Sequence, residues 1–406
     1  MDDDATSGNV GGSNTVPAPV SGAQTLSASP SKHPRLMSLD CFRGLVIAWM
    51  IMSDEGGEPW THWIDHSPWD GIHFADFVFP AFVFIVGMAI PLSTHKFALD
   101  RWGATRKAVW RAAKMFLVGF ISASGGFPAA YGLDNIRIPG ILQRIAFCYL
   151  MLVLIHIWVP VRPTPQGIKG YFYLYAKYSW QFLVTGCFVA VYFILTFGTN
   201  VPDADADSNV PGATCGYGKL DPACCASGYW DRVVLGLNHM YAHPTLNRLP
   251  ECSSNSPGFE PILGRPPWCD RPYDPEGIVG SFTAVASGFG GLFFGYVLAN
   301  ETRHRSRIHQ WLSLSSFCMA LGLLLHFTGA LPINKNLWSF SYVLVMIAVD
   351  GVVFSGFYYM VDVKGYKKML WPLICMGTTH SDTPWKRRQR TRSADAPTQL
   401  QLTTEG

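Results

Sequence analysis

The chain has 406 residues, 49% hydrophobic, 14% aromatic and 15% charged, with a mean hydropathy of +0.17. A soluble domain carries about 25% charged residues, so this chain is short of the groups that keep a globular surface wet. A net charge of +3, from 31 basic and 28 acidic side chains, is too small and too dispersed for a nucleic-acid-binding protein. Collagen-like, coiled-coil and small disulfide-scaffold readings fail on the same figures.

Residues 1–34 are rich in Gly, Ser, Pro and Ala and lack the continuous apolar run of a signal peptide, so a disordered tail is expected there. Eight apolar stretches follow, at 36–53, 74–92, 108–125, 138–160, 178–198, 277–299, 310–328 and 337–361. Crossing a bilayer takes about 20 mainly apolar residues, so the expected fold is an all-α, polytopic transmembrane helix bundle of about eight spans. Its orientation follows from the connections. Fifteen Lys and Arg fall in 94–114, 161–178, 300–309 and 362–370, whereas 54–73, 125–137 and 329–336 hold only Arg137 and Lys335. Basic residues favour the cytoplasmic side, so the N-terminus is expected in the cytoplasm, with the 54–73 and 199–276 loops on the lumenal or outer face.

Charged groups inside spans are costly and usually paired or functional. Asp40 and Arg43, three apart in the first stretch, are neighbours on one helix face. They read either as a packing ion pair or as an anion site around Arg43. The next loop is denser: Asp54, Glu55, Glu58, His62, Asp65, His66, Asp70, His73 and Asp76 fall within 23 residues, interleaved with Trp60, Trp63 and Trp69. An interfacial aromatic belt explains the tryptophans but not the acids and imidazoles. Histidine carries protons or an acyl group near neutral pH, so a catalytic His is expected here.

Gln143 and Arg144 open the fourth span, Glu276 the sixth; His326 and Asp350 lie in the seventh and eighth, all read first as interhelical partners. Of ten cysteines, Cys215, Cys224, Cys225, Cys252 and Cys269 lie in the 199–276 loop. An oxidising compartment favours Cys215–Cys224 and Cys252–Cys269 bridges, with five free thiols as the alternative. A zinc site from Cys224, Cys225, His239 and His243 has poor ligand spacing, and no metal is expected. Asn300, in an Asn-Glu-Thr sequon, falls on the cytoplasmic side in this topology, where it would be inert. The turn at 332–338 (PINKNLW), with the one basic group Lys335, reads either as the cap of a pore mouth or as a contact to an anionic substrate.

Several stretches together resemble the heparan-α-glucosaminide N-acetyltransferase family, in particular its plant and protist members. They are 35–44 (RLMSLDCFRG), 64–71 (IDHSPWDG), 74–87 (FADFVFPAFVFIVG), 137–145 (RIPGILQRI), 228–232 (GYWDR), 239–244 (HMYAHP), 273–277 (YDPEG) and 332–336 (PINKN). The resemblance runs in order over about 35–377. It implies a membrane-embedded enzyme that takes acetyl from cytosolic acetyl-CoA and places it on the amine of a lumenal terminal glucosamine. The family's active-site histidine stands three residues before a Trp-(Asn/Asp)-Gly motif, which is His66, and its second polar group corresponds to Asp54. Arg43, Gln143 and Arg144 become candidate contacts to acetyl-CoA; Asp70, Asp76, His239, Glu276, Asn334 and Lys335 are candidate contacts to the glycan acceptor.

The resemblance also implies a lipid bilayer as surroundings, in a lysosomal, vacuolar or other endomembrane, and leaves a homodimer open. It implies two further apolar helices after Gly377, where this chain has a polar run with Lys386, Arg387, Arg388, Arg390 and Arg392, and so reads as a C-terminally truncated member. Two other readings stand beside it. A small-solute transporter predicts an internal repeat that the sequence does not show; a non-catalytic family member predicts no acetyl transfer with His66 intact.

Overall fold

The computed structural model describes residues 36–55, 64–93, 100–123, 136–163, 172–202, 215–241, 246, 249–254 and 261–378. The expected N-terminal tail, the basic C-terminal run, His62 and His243 lie outside them. In chain order the helices are α1 (Met37–Glu55), α2 (Val78–Ser93, entered through a 3-10 turn at Phe74–Phe77), α3 (Arg101–Ala123), α4 (Ile141–Trp158) and α5 (Phe172–Lys177). Then come α6 (Ser179–Gly198), α7 (Ala226–Leu235), α8 (Ile278–Asn300), α9 (His304–Phe327), α10 (Phe340–Tyr358, continuing as a π turn to Val363) and α11 (Trp371–Gly377).

Among the described residues, six helices are long and apolar enough to cross a membrane: Phe74–Ser93, Ile141–Trp158, Ser179–Gly198, Ile278–Asn300, His304–Phe327 and Phe340–Val363. The other two expected spans are also helical. Of these, α1 carries Asp40, Arg43 and Asp54, and α3 is basic over its first half. Among the described residues only isolated bridges, not sheets, occur, as expected where helices satisfy every backbone group internally.

At the centre lies α8, nearly all of whose residues are buried. It reaches α2 without intervening side chains: a Cβ on Gly87 would meet the Gly288 carbonyl oxygen at 1.9 Å, and one on Gly291 would meet that of Phe84 at 1.9 Å. In lipid, where apolar burial gives little drive, such close backbone approach is how helices gain packing energy. The same device joins α1 to α11, through Gly44 against Leu373 and Gly377 against Asp40.

Contacts between connections gather at two ends of the bundle. At one end Gly71 N–H donates to Ile333 O, Trp69 Nε1 to Leu220 O, and Ile138 N–H to His239 O. A second, smaller apolar cluster forms there from Trp69, Cys225, Leu246, Leu249, Cys252, Trp268, Cys269, Tyr273 and Leu337. The bridges Cys215–Cys224 and Cys252–Cys269 join the two pairs read from the sequence. Cys224 Sγ is therefore not available to a metal. At the other end Trp158 Nε1 donates to Thr105 and Lys177 to Asn300. The Asn300 amide of the sequon also donates to Tyr178 and to the Tyr296 carbonyl.

Candidate active site

The loop between α1 and α2 folds back on itself through Gly71, whose φ of +103° only glycine adopts freely. This return places His66 beside Asp76, ten residues on, in the 3-10 turn before α2. His66 Nδ1 lies 2.8 Å from Asp76 Oδ1. Asp76 Oδ2 accepts the backbone N–H groups of Ser67 (3.1 Å) and His73 (2.9 Å), and Tyr342 Oη donates to the Asp76 carbonyl at 2.6 Å. The carboxylate is fully buried, whereas the His66 side chain is 44% exposed. A carboxylate that accepts two amides is ionised and can only accept. The Nδ1 proton of His66 therefore points to Asp76, which leaves Nε2 as the acceptor of the ring.

The third member comes from the turn before α10. Lys335 Nζ stands 2.7 Å from His66 Nδ1, 3.1 Å from Nε2 and 3.5 Å from Asp76 Oδ1. Asn334 shapes that turn: its Oδ1 accepts Leu337 N–H at 2.9 Å, while Nδ2 donates to Asp70 Oδ1 at 3.1 Å. Asn336 Nδ2 donates to the Pro68 carbonyl, and Trp338 closes the turn with a left-handed backbone (φ 48°). Two loops far apart in sequence are thus sewn together around the imidazole.

Other expected site residues fall elsewhere. The carboxylate on the His66 ring is that of Asp76; Asp54 is exposed near the end of α1, and no ion pair or hydrogen bond joins it to His66. Asp76 and Asn334, expected to meet the acceptor, are buried with their polar atoms already engaged, and so position other groups. Asp70 is exposed and holds Asn334. Glu276 pairs with Arg137 (2.5 Å), which also forks onto the fully buried Asp274 at 2.7 and 2.9 Å. Burial pulls against the charge of Arg137, but the hydrogen bonds and charges of Asp274 and Glu276 prevail and raise its pKa. His239 Nδ1 lies 2.9 Å from the Ile136 carbonyl and donates to it, which leaves Nε2 as an acceptor.

Of the three coenzyme candidates, Arg43 donates to the Gly377 carbonyl (3.2 Å) and stands 3.7 Å from Asp40. Arg144 is buried at the His66 end, where Nη2 donates to the carbonyls of Pro275 (3.1 Å) and Gly277 (2.9 Å) and its plane lies over Trp338. Its Nε and Nη1 have no partner among the described residues, nor has Nε2 of Gln143. Those donors are the unspent polar capacity beneath the site. Sequence reading missed Asp231 of α7, fully buried, whose Oδ1 accepts the first N–H of α8 at 2.8 Å while Oδ2 has no partner among the described residues. Burial, with Asp274 nearby, pushes its pKa up to about 7, against the Ile278 hydrogen bond and the charges of Arg144 and Arg232. The signal was present, an acid on the same face of a short helix as Ala226, Ser227 and Gly228, the face that docks on the bundle.

No protein-family model matches the chain. It is 31% identical over 354 residues to the heparan-alpha-glucosaminide N-acetyltransferase of Mus musculus, and 30% identical over 360 residues to that of Homo sapiens. The matches cover 82% and 84% of this chain but 50% of each relative, so the chain spans about half the length of the curated relatives it matches.

Proposed function

The chain belongs to the heparan-alpha-glucosaminide N-acetyltransferase family, and on that premise we propose that it moves acetyl from acetyl-CoA to the amine of a terminal glucosamine-type sugar. The chemistry takes place at His66. The observation that carries this reading is the imidazole in contact with both a buried carboxylate and a lysine ammonium.

An ammonium must lose a proton before it can attack a thioester. That first proton goes to water; as the amine nitrogen then bonds to the acetyl carbon, His66 Nε2 takes its second proton, the C–S bond breaks, and the leaving thiolate takes that proton from the imidazolium. In the carrier variant, Nε2 attacks the thioester first and the acetyl passes from imidazole to amine. Both routes need Nδ1–H fixed on Asp76, which holds the ring in one tautomer and stabilises the cation that forms. In the resting site Lys335 lies within reach of the Nε2 lone pair. A thioester entering there offers its carbonyl oxygen instead, and the ammonium turns to it, where negative charge develops. In this reading the coenzyme enters from the Lys- and Arg-rich cytoplasmic end and the acceptor from the disulfide-bearing lumenal end of an endomembrane.

The test feeds labelled acetyl-CoA and glucosamine to membranes carrying the chain or its His66→Ala variant. Labelled sugar from the first and none above background from the second supports the proposal; equal product from both, or none from either, overturns it.

A further inference from the structure

The end of the bundle opposite His66 carries a second concentration of charge on α3. Arg101, Arg106, Lys107, Arg111 and Lys114 lie in its first fourteen residues, and the helix contains no acidic residue. Ala104, Ala108 and Ala112 form its buried side, which leaves Arg106, Lys107, Trp110, Arg111 and Lys114 exposed on the other. No carboxylate among the described residues pairs with any of these cations. Their counter-charge must come from outside the described protein.

Three features say what supplies it. Arg106, Lys107, Val109 and Trp110 border a shallow, open hollow on this face. Lys114 Nζ lies 5.0 Å over the Trp110 ring, a tryptophan–cation pairing suited to the bilayer interface, where the indole is half wet. From Phe116 onward the same exposed side becomes apolar: Phe116, Leu117, Val118 and Ile121 are all exposed. Outward-facing charge thus gives way to outward-facing hydrocarbon within one turn of Lys114, the order of surfaces that a bilayer presents from headgroup to acyl chain.

We propose that this face of α3 binds the headgroups of anionic phospholipids, with Arg106, Lys107 and Arg111 contacting the phosphate and Trp110 walling the hollow. The proposal is independent of the acetyltransferase reading and stands or falls without it.

The test uses the full chain, purified in neutral detergent, with phosphatidylserine or phosphatidylcholine titrated in and bound lipid counted by native mass spectrometry. Phosphatidylserine is expected to bind at least tenfold better than phosphatidylcholine. That preference should be lost in R106Q/K107Q/R111Q, where the two lipids should bind within about twofold of each other, and persist in R303Q/R305Q, which removes exposed arginines from the same end. Retention of the preference in the triple variant overturns the proposal, as does an equal loss in R303Q/R305Q, which would mean diffuse charge. Displacement of the lipid by equimolar adenosine 3′,5′-bisphosphate would make the hollow a nucleotide subsite and overturns it too.

Discussion

Asp76 divides its two oxygens between scaffold and chemistry: Oδ2 holds the Ser67 and His73 amides, while Oδ1 meets His66 Nδ1 at 2.8 Å. Asp76→Asn keeps the shape but places an amide N–H where an acceptor is needed, against either the ring or the two backbone donors. The expected result is a loss of about two to four orders of magnitude in turnover with little loss of folded protein. Turnover rates beside a thermal melt check both parts.

Lys335 is held 12% exposed against the ring. If its ammonium meets developing negative charge on the thioester oxygen, Lys335→Met lowers kcat by about 10²- to 10³-fold, and Lys335→Arg recovers part of it. The steady-state split matters: the defect should fall on kcat and leave the acceptor KM within a few fold. A change confined to KM would make Lys335 an acceptor contact only.

Arg137 joins the loop before α4 to the segment before α8 by forking onto Asp274, which is fully buried, and reaching Glu276. Removing one partner of such a pair strands the other, so Arg137→Met should destabilise the fold by about 3 to 5 kcal/mol. Arg137→Lys, which keeps the charge but loses the fork, should fall between that variant and the unaltered chain in chemical denaturation.

Asp231 gives the docking of α7 on α8 a pH dependence. Its folded pKa is about 7 against an ordinary 3.8. Below about pH 4 the group is protonated whether docked or free, and burial carries no ionic penalty. From about pH 4 to 7 the free carboxyl ionises while the docked one keeps its proton, so docking weakens as pH rises, by up to about 4 kcal/mol. The unaltered chain should therefore melt at lower temperature at pH 7 than at pH 5, and Asp231→Asn should flatten that slope. A slope unchanged in the variant would assign it to another group.

Much of the bundle was legible because lipid imposes one rule, long apolar helices. The stretch read at 178–198 is α6 at Ser179–Gly198, and 277–299 is α8 at Ile278–Asn300. The misses are at polar helix ends. α3 begins at Arg101, not 108, and α9 at His304, not 310, because hydropathy cannot see a helix whose first turns are charged. The crowd of acids and imidazoles marked the loop, and the family resemblance, not the pattern, singled out His66 among its histidines. Its partner did not stand out, because a contact ten residues away depends on the turn at Gly71, and a hydropathy pattern carries no trace of a loop that doubles back. Asp54, nearer the start of the same loop, is left behind on the helix end. The tie between Asp70 and Asn334 is less legible still, since 264 residues separate them.

Sealed vesicles, with labelled acetyl-CoA on the face bearing the Lys- and Arg-rich connections and glucosamine confined to the other, put the whole account to one measurement. The account predicts labelled N-acetylglucosamine only in the acceptor's compartment, and none with His66→Ala. Label on the coenzyme's side, or product undiminished without the imidazole, would contradict it.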